Sequence, residues 1–394
     1  MTPIYLDHNA TTPLREEVRE RWLEALARTG GNPSSLHRSG REARQLLDEA
    51  RERTAGALRV DEEEIHFTSG GTESSNLALF GGVRRQGPRA GLVASAVEHS
   101  SVLAAAAQLE QEGHPLTLVG VDSHGLLDPG EVLDRAEADG ARLVAVMAAN
   151  NEVGVRMPLE AIGKGLDGLL PQTRPLLFTD AAQALGRVPL PLRAWNIDLA
   201  SFSAHKIGGP LGVGVLYRRA PVELQPLFYG GEQEGGLRPG TENVAAIVAA
   251  SHAIELAIRD RESFAAHAAK LAAVLWEALH EALPDARLLG SELGSEQRLP
   301  GTLNILLPNV DGKVLVTRLD LEGLELSAGS ACASGSLEPS HVLLAMGLSE
   351  SEARAGLRIS IGRDTLLREI REAVEILRKT AGRSDATREP GMGL

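Results

Sequence analysis

The chain has 394 residues, a formal net charge of −13 and one cysteine. That length exceeds what one hydrophobic core normally organises, so two structural units are expected. The acidic balance argues against bulk electrostatic binding to nucleic acid or an anionic membrane, no apolar run approaches the roughly 20 residues of a membrane span, and a lone thiol excludes an internal disulfide and points to the cytoplasm.

The opening Met1-Thr2-Pro3-Ile4 reads as running straight into a strand, with no signal peptide. Asp7-His8-Asn9-Ala10-Thr11-Thr12-Pro13 is a polar turn before a helix that carries Val18, Trp22, Leu23 and Leu26 on one face. After the loop Gly30–Ser35, Ser39 with Glu42 forms a capping-box pattern for a helix bearing Ala43, Leu46, Leu47, Ala50 and Leu58. From about residue 60 the pattern becomes strand, turn, helix, repeated. Strands are predicted at Ile65–Ser69, Leu92–Ser95, Leu116–Val119, Leu143–Ala148, Leu176–Thr179, Leu199–Ser203 and Val213–Tyr217. Helices separate several of them, among them Ser101–Glu112 and Pro129–Ala136. Short apolar strands alternating with helices predict an α/β fold with a mostly parallel sheet covered on both faces, whose ligand site lies beyond the carboxyl ends of the strands. Residues 240–283 read as long helices leading to a second α/β unit. That unit has strands at Thr302–Leu307 and Leu357–Ile361 and helices at Gly312–Leu319 and Thr365–Thr380. From Ser384 the chain reads as a frayed polar tail.

Polar clusters follow the predicted strand ends. Of five lysines, Lys206 alone sits where a strand meets a Gly-rich turn, in Ser201-Phe202-Ser203-Ala204-His205-Lys206-Ile207-Gly208-Gly209-Pro210. A desolvated amine there is a nucleophile toward a carbonyl. Thr68-Ser69-Gly70-Gly71-Thr72-Glu73 opens a helix and is either an ordinary Gly-rich turn or a phosphate cradle. It lacks the spacing of dinucleotide and nucleotide loops. Glu98-His99-Ser100, Asn150-Asn151-Glu152 and Asp180-Ala181-Ala182-Gln183 stand at three further strand ends. Asp180 ends a strongly apolar strand, where a carboxylate needs a cation. One ligand accounts for them jointly: a phosphate at Thr72, Ser203 and His205, a cationic ring nitrogen at Asp180, an aldehyde at Lys206 and a flat ring against His99. Pyridoxal 5'-phosphate has those parts.

Ser201–Lys206 resembles the cofactor-lysine motif of cysteine desulfurases, in the class V aminotransferase group of pyridoxal phosphate enzymes of fold type I. The resemblance runs through Tyr5–Pro13, Gly31–Ser35, the Thr72 loop, Glu98-His99, Asn150–Gly154, Asp180–Gln183, Arg238–Thr241 and Arg358–Arg363. Ser327-Ala328-Gly329-Ser330-Ala331-Cys332-Ala333-Ser334-Gly335-Ser336-Leu337-Glu338-Pro339-Ser340 resembles the longer cysteine loop of the NifS/IscS-like group.

The resemblance implies a homodimer that takes L-cysteine, uses no metal, and passes sulfur to an acceptor protein for iron–sulfur cluster assembly or for tRNA or cofactor thiolation. It implies Lys206 as cofactor anchor and proton carrier, Asp180 at the ring nitrogen, and Gln183 and Asn151 at the ring hydroxyl. It also implies His99 on the ring face, and Gly71, Thr72, Ser203 and His205 at the phosphate, with Thr241 from the other subunit. Arg358 would bind the substrate carboxylate and Asn32 would line the substrate site. It divides the chain into residues 1–15 packing with the small domain, a large domain 16–255, a small domain 256–383 with the cysteine loop, and a tail 384–394. Selenocysteine lyases, other pyridoxal phosphate lyases and aminotransferases share most of such a site. Cys332 also stands out without the resemblance, because Gly329, Gly335 and only Ala and Ser around it give a segment with little apolar surface to bury. Relatives often carry Tyr-Gly-Pro-Lys after the cofactor lysine, where this chain has Gly208-Gly209-Pro210-Leu211.

Overall fold

The computed structural model describes residues 3–169, 173–329 and 338–385. Strand β1 (Ile4–Tyr5) leads through the Asp7–Pro13 turn into helices α1 (Glu16–Arg28) and α2 (Arg38–Leu58). An alternating run follows: β2 (Ile65–Thr68), α3 (Gly71–Arg85), β3 (Gly91–Ser95), α4 (Ser100–Gln111), β4 (Leu116–Val119), α5 (Pro129–Ala138), β5 (Ala141–Ala145), α6 (Leu159–Leu166), β6 (Leu176–Asp180), β7 (Leu199–Ser203) and β8 (Gly214–Arg218). The adjoining helices α7 (Val244–Arg259) and α8 (Arg261–Ala282) come next, then β9 (Arg287–Leu289), β10 (Thr302–Leu306), α9 (Gly312–Leu321) and β11 (Leu324–Glu325). The chain ends through α10 (His341–Ala345), α11 (Glu350–Arg354), β12 (Gly356–Ser360) and α12 (Leu367–Asp385).

Strands β2 to β8 form a seven-stranded sheet in the order β2-β8-β7-β6-β5-β3-β4. Only β8 runs against its neighbours, β2 and β7; the other pairs are parallel. The strands read as continuous apolar runs because both faces are covered. Alternate residues go to different cores. Leu143, Ala145, Phe178, Leu92 and Ala94 pack with Leu77, Leu79, Val102 and Leu109 of α3 and α4. Val144, Leu177 and Val93 pack with the opposite layer, which includes Ile162 of α6 and Val132 of α5. The expected mostly parallel α/β sheet is therefore formed, and its parallel strands deliver their carboxyl ends to one edge.

A second core lies around the antiparallel sheet β12-β10-β9, where Leu303, Ile305, Leu357 and Ile359 meet Leu271 and Leu275 of α8, Leu315 and Leu319 of α9, and Ile370 and Leu377 of α12. Ile4 and Leu6 belong to this core, and β1 pairs in parallel with β11. The N-terminal turn is thereby held between the two sheets, which matters for the site.

Two local expectations are corrected. Helix α2 starts two residues before the Ser39 pattern: His37 is its N-cap, and His37 Nδ1 accepts from Gly40 N at 3.3 Å. Gly40 presses against the preceding turn, where a Cβ would lie 2.3 Å from the Ser35 carbonyl oxygen, and Glu42 pairs with Arg38 instead. In α1 the buried stripe is Val18 and Ala25 with Trp22 packed beside them, whereas Leu23 and Leu26 are 59% and 55% exposed. The i, i+4, i+7 row faces the core and the neighbouring row does not. The tail expected from Ser384 lies outside the described residues except for Ser384 and Asp385, which continue α12.

Burial also sets an acid response. On β2, His66 Nε2 accepts from Arg218 Nε at 3.0 Å. Burial, then Arg218 and Arg51, push its pKa down to about 3. Burial and Arg187 push His8 down to about 4. Both rings resist protonation in the folded chain and accept it freely once unfolded. They cost nothing above pH 6.5, and below it each removes about 1.4 kcal/mol of stability per pH unit until its folded pKa is reached. The urea midpoint is thus expected to fall steadily from pH 6.5 to 4. A His66→Gln variant should show a shallower fall; an identical slope would show that His66 is not one of the groups responsible.

Candidate active site

The edge where β5, β6 and β7 end opens into a cavity of about 380 Å³, within the range of about 300–1,000 Å³ usual for small-molecule sites. Strand β6 ends in Asp180, which faces Ser201 of β7 in register. Strand β7 ends at Ser203 and passes into a tight 3-10 turn, Ala204–Ile207, closed by Gly208 at φ 77°. That left-handed position suits glycine, and the turn directs the Lys206 side chain back toward the sheet edge. Lys206 Nζ donates to the carbonyl oxygens of Asn9 and Ala10, each at 2.7 Å. Asp180 and Lys206 both line the cavity. Asp180 Oδ1 accepts from Ala182 N at 2.9 Å, which fixes the carboxylate.

Gly70 and Gly71 stand at the start of α3, whose first-turn N–H groups have no acceptors within the helix. A Cβ on Gly71 would lie 3.3 Å from Ser203 Cβ, and one on Gly214 would lie 2.4 Å from the Gly70 carbonyl carbon. Glycines are what let the two turns and β8 meet here. Thr72, Ser203 and His205 complete this end of the cavity. Burial and the neighbouring Lys206 push His205 down to about 4, so the imidazole is neutral at physiological pH. His205 Nδ1 lies 3.1 Å from Thr11 Oγ1.

His99 caps α4: its Nδ1 accepts from Ser101 N at 3.2 Å and lies 2.8 Å from Ser101 Oγ. With Nδ1 acting as an acceptor, the proton of the neutral ring is on Nε2. Gln183 is buried, donates from Nε2 to Asn9 O at 2.9 Å, and has no partner for Oε1 among the described residues. Asn151 also lines the cavity, whereas its neighbour Asn150 fastens a turn, accepting from Glu152 N and Val153 N at 2.8 and 3.0 Å.

Arg358, 1% exposed on β12, reaches the same cavity from the second sheet. Its Nη2 donates to Asp7 Oδ1 at 2.6 Å and to Ser327 Oγ at 3.2 Å, and Nη1 donates to Asn151 O at 3.4 Å. Its Nε is buried and has no partner among the described residues.

Most of the expected site residues therefore converge, but Asn32 and Thr241 do not. Asn32 is exposed, and its Oδ1 is engaged by Ser34 N at 2.8 Å in the loop before α2. Thr241 is exposed and away from the cavity lining. Cys332 lies outside the described residues. Sequence reading assigned no role to Asn9, Asp7 or Arg187. Asn9 is buried and central: it accepts from Lys206 and Gln183 through its carbonyl, donates from Nδ2 to Asn151 O at 3.1 Å and Thr302 Oγ1 at 3.2 Å, and accepts from Arg187 at Oδ1. Burial, with Arg358 nearby, pushes Arg187 down to about 10. The motif Tyr5–Pro13 was the available signal, but its partners lie hundreds of residues away.

The donor set fits pyridoxal 5'-phosphate. An amine and a carboxylate share one cavity, a glycine cradle at a helix N-terminus sits at one end, and an unpartnered buried oxygen on Gln183 suits a ring hydroxyl.

The aminotransferase class-V family pattern matches residues 4–372. The chain belongs to that family. Within it, the chain is 38% identical over 379 residues to the cysteine desulfurase IscS of Dictyoglomus turgidum, covering 95% of this chain and 94% of that one. Among solved structures, a NifS-like protein superposes with a TM-score of 0.89 at 34% identity, covering 97% of this chain and all of the other. A structure of SspA in complex with cysteine superposes with a TM-score of 0.76 at 33% identity, covering 91% and 98%. The chain is thus of the NifS/IscS-like cysteine desulfurase group, with the family's fold type I architecture.

Proposed function

We propose that the protein is a pyridoxal phosphate-dependent cysteine desulfurase that converts L-cysteine and the Cys332 thiol into L-alanine and a Cys332 persulfide. The observation that carries this is one cavity holding Lys206, Asp180, the Gly71 cradle and Arg358, in a chain whose relatives are named cysteine desulfurases. Lys206, Asp180, Gln183, Asn151, His99, Gly71, Thr72, Ser203 and His205 would hold the cofactor. When bound, it supplies an electron sink that makes the substrate Cα–H acidic.

The chain's own residues do the rest. Arg358 offers its guanidinium to the substrate carboxylate and so orients the substrate. Lys206 Nζ, half-buried and cradled by two carbonyls, takes the Cα proton and returns it. His99 presents a protonated Nε2 at the cavity wall, and the Asp180 carboxylate stabilises positive charge at the sheet end. The Cys332 thiolate attacks the substrate sulfur; the sulfur–sulfur bond forms as the carbon–sulfur bond breaks, and protons complete alanine. The persulfide sulfur then goes to an acceptor protein, for cluster assembly or thiolation. Thr241, exposed and away from its own cavity, fits a second copy's site, which supports a homodimer. Among the described residues no helix is long and apolar enough to cross a membrane, and with the single cysteine this supports a cytoplasmic enzyme.

The test uses holoenzyme and L-cysteine, with alanine and persulfide as readouts. Cys332→Ala is expected to cut alanine formation by about 10³-fold or more, the scale of losing a nucleophile, and to abolish persulfide. Alanine at the full wild-type rate from that variant would overturn the reading.

A further inference from the structure

Glu152 is 1% exposed and has no part in the chemistry assigned above. Its backbone is fixed from two sides: its N–H donates to Asn150 Oδ1 at 2.8 Å, and its carbonyl accepts from Asn304 Nδ2 of β10 at 3.4 Å. Its side chain accepts at Oε2 from Ser340 Oγ at 2.6 Å. Ser340 is the N-cap of α10, and the same hydroxyl accepts from Leu343 N at 3.2 Å. Gly329, at φ 66°, stands beside this pair: an added Cβ would lie 3.7 Å from Glu152 Oε2 and 3.5 Å from Ser340 Cβ. Gly329 directly precedes residues 330–337, which include Cys332, and Ser340 follows them closely. The chain thus leaves and re-enters the described structure at one buried carboxyl.

A carboxyl placed there solely to fill space is expensive, since burial disfavours its charge. Burial does push Glu152 up from the ordinary carboxyl range, opposed by Ser340, His341, Arg358 and His99, the groups that face it. The uncharged form keeps a carbonyl-type oxygen for the Ser340 hydroxyl and needs no counter-ion. The Ser340 hydroxyl needs only an acceptor oxygen, which either form of the carboxyl supplies.

We propose that Glu152 is a positioning residue for sulfur transfer: it anchors the flank that follows the Cys332 segment through the Ser340 hydrogen bond, beside Gly329 on the flank that precedes it. This rests on reading Cys332 as the sulfur acceptor. Lys206 is held by the Asn9 and Ala10 carbonyls and Arg358 by Asp7, Ser327 and the Asn151 carbonyl, so proton removal at the substrate Cα should not depend on the Glu152–Ser340 hydrogen bond, whereas delivery of the thiol should.

Holoenzyme variants separate the two. Glu152→Ala is expected to lower kcat for alanine formation from L-cysteine on the order of 10²-fold, the scale of a reacting group misplaced by about 1 Å. The KM for cysteine, and the exchange of the Cα hydrogen of L-alanine with D2O, should stay within about twofold, since both report steps made before the thiol arrives. Glu152→Gln, whose amide oxygen also accepts from Ser340, should retain kcat within about threefold. If Glu152→Ala does not fold, Ser340→Ala removes the same hydrogen bond at a cost of about 1 kcal/mol for the lost cap, and the same split is expected.

Unchanged alanine formation in the Ala variants would overturn the proposal. So would an equal loss of exchange and alanine formation, or a Gln variant as impaired as Ala. Because Cys332 is the only cysteine, iodoacetamide uptake counts that thiol alone, and stoichiometric alkylation of each variant shows that lost turnover is not lost thiol. Failure of the Cys332→Ala test above, by contrast, would remove the reading on which the proposal rests.

Discussion

Lys206→Ala is expected to lower kcat for alanine formation by about 10⁴-fold or more, the upper scale for losing an acid–base group, with little change in folding. The geometry gives the reason. Nζ sits 2.7 Å from two carbonyl oxygens, those of Asn9 and Ala10, at the cavity wall shared with Asp180. Among the five lysines it is the one that lines this cavity, so no other amine is placed to take over. Removing it leaves two carbonyls that water in an open cavity can serve, which is why stability should move by only about 1 kcal/mol. Lys206→Arg keeps the charge and the reach but cannot be deprotonated, and should be as inactive as the alanine variant. Borohydride reduction of the wild-type holoenzyme followed by peptide mass mapping should find the cofactor on the Lys206 peptide. Either variant retaining a tenth of wild-type kcat would remove Lys206 from the proton-carrying role.

The strands were legible because both faces of the sheet are covered. Continuous apolar runs such as Leu176–Phe178 and Leu199–Ala200 announce themselves, and the polar residue that ends each run marks the carboxyl edge of the sheet. Asp180, Ser203, His205, Lys206 and Gln183 were found in this way, since the rule that ligands bind beyond strand ends converts local sequence into position. What stayed hidden depends on long-range pairing. Asp7 meets Arg358 across a sequence separation of 351 because β1 joins β11 and Ser327 bridges to Arg358, which no local pattern encodes. Asn9 meets Lys206 and Gln183 through its backbone carbonyl, and a carbonyl leaves no mark on residue type. The start of α2 was misread for a related reason: the tight approach of Gly40 to Ser35 outweighs the capping preference of Ser39. The periodic reading of α1 put Leu23 and Leu26 on one face with Val18 and Trp22, whereas the helix turns Val18 and Ala25 to the core and leaves Leu23 and Leu26 exposed.

Arg358→Lys and Arg358→Leu are expected to raise the KM for L-cysteine by about 10-fold and by about 10²- to 10³-fold, consistent with charge-assisted hydrogen bonds worth about 1.5–3 kcal/mol each. The guanidinium is already oriented before substrate arrives. Asp7 and Ser327 hold Nη2, the Asn151 carbonyl holds Nη1, and Nε is buried with no partner among the described residues. A buried donor left unpaired is costly, so an incoming carboxylate that satisfies it gains affinity at little ordering cost. Lysine preserves the charge beside Asp7 but offers no fork, which is why its effect should be the smaller one. Leucine removes the partner of the Asp7 carboxylate, whose side chain is 18% exposed, and should also destabilise the chain by up to about 3–5 kcal/mol. A lower urea midpoint would report that loss separately. The decisive comparison is cysteamine, which carries the thiol and amine of cysteine without the carboxylate. If Arg358 acts on that carboxylate, the variants lose cysteine affinity while cysteamine affinity stays within about twofold of wild type. Equal weakening for both compounds would mean that Arg358 shapes the cavity wall through Asp7 and Asn151 and does not read the substrate.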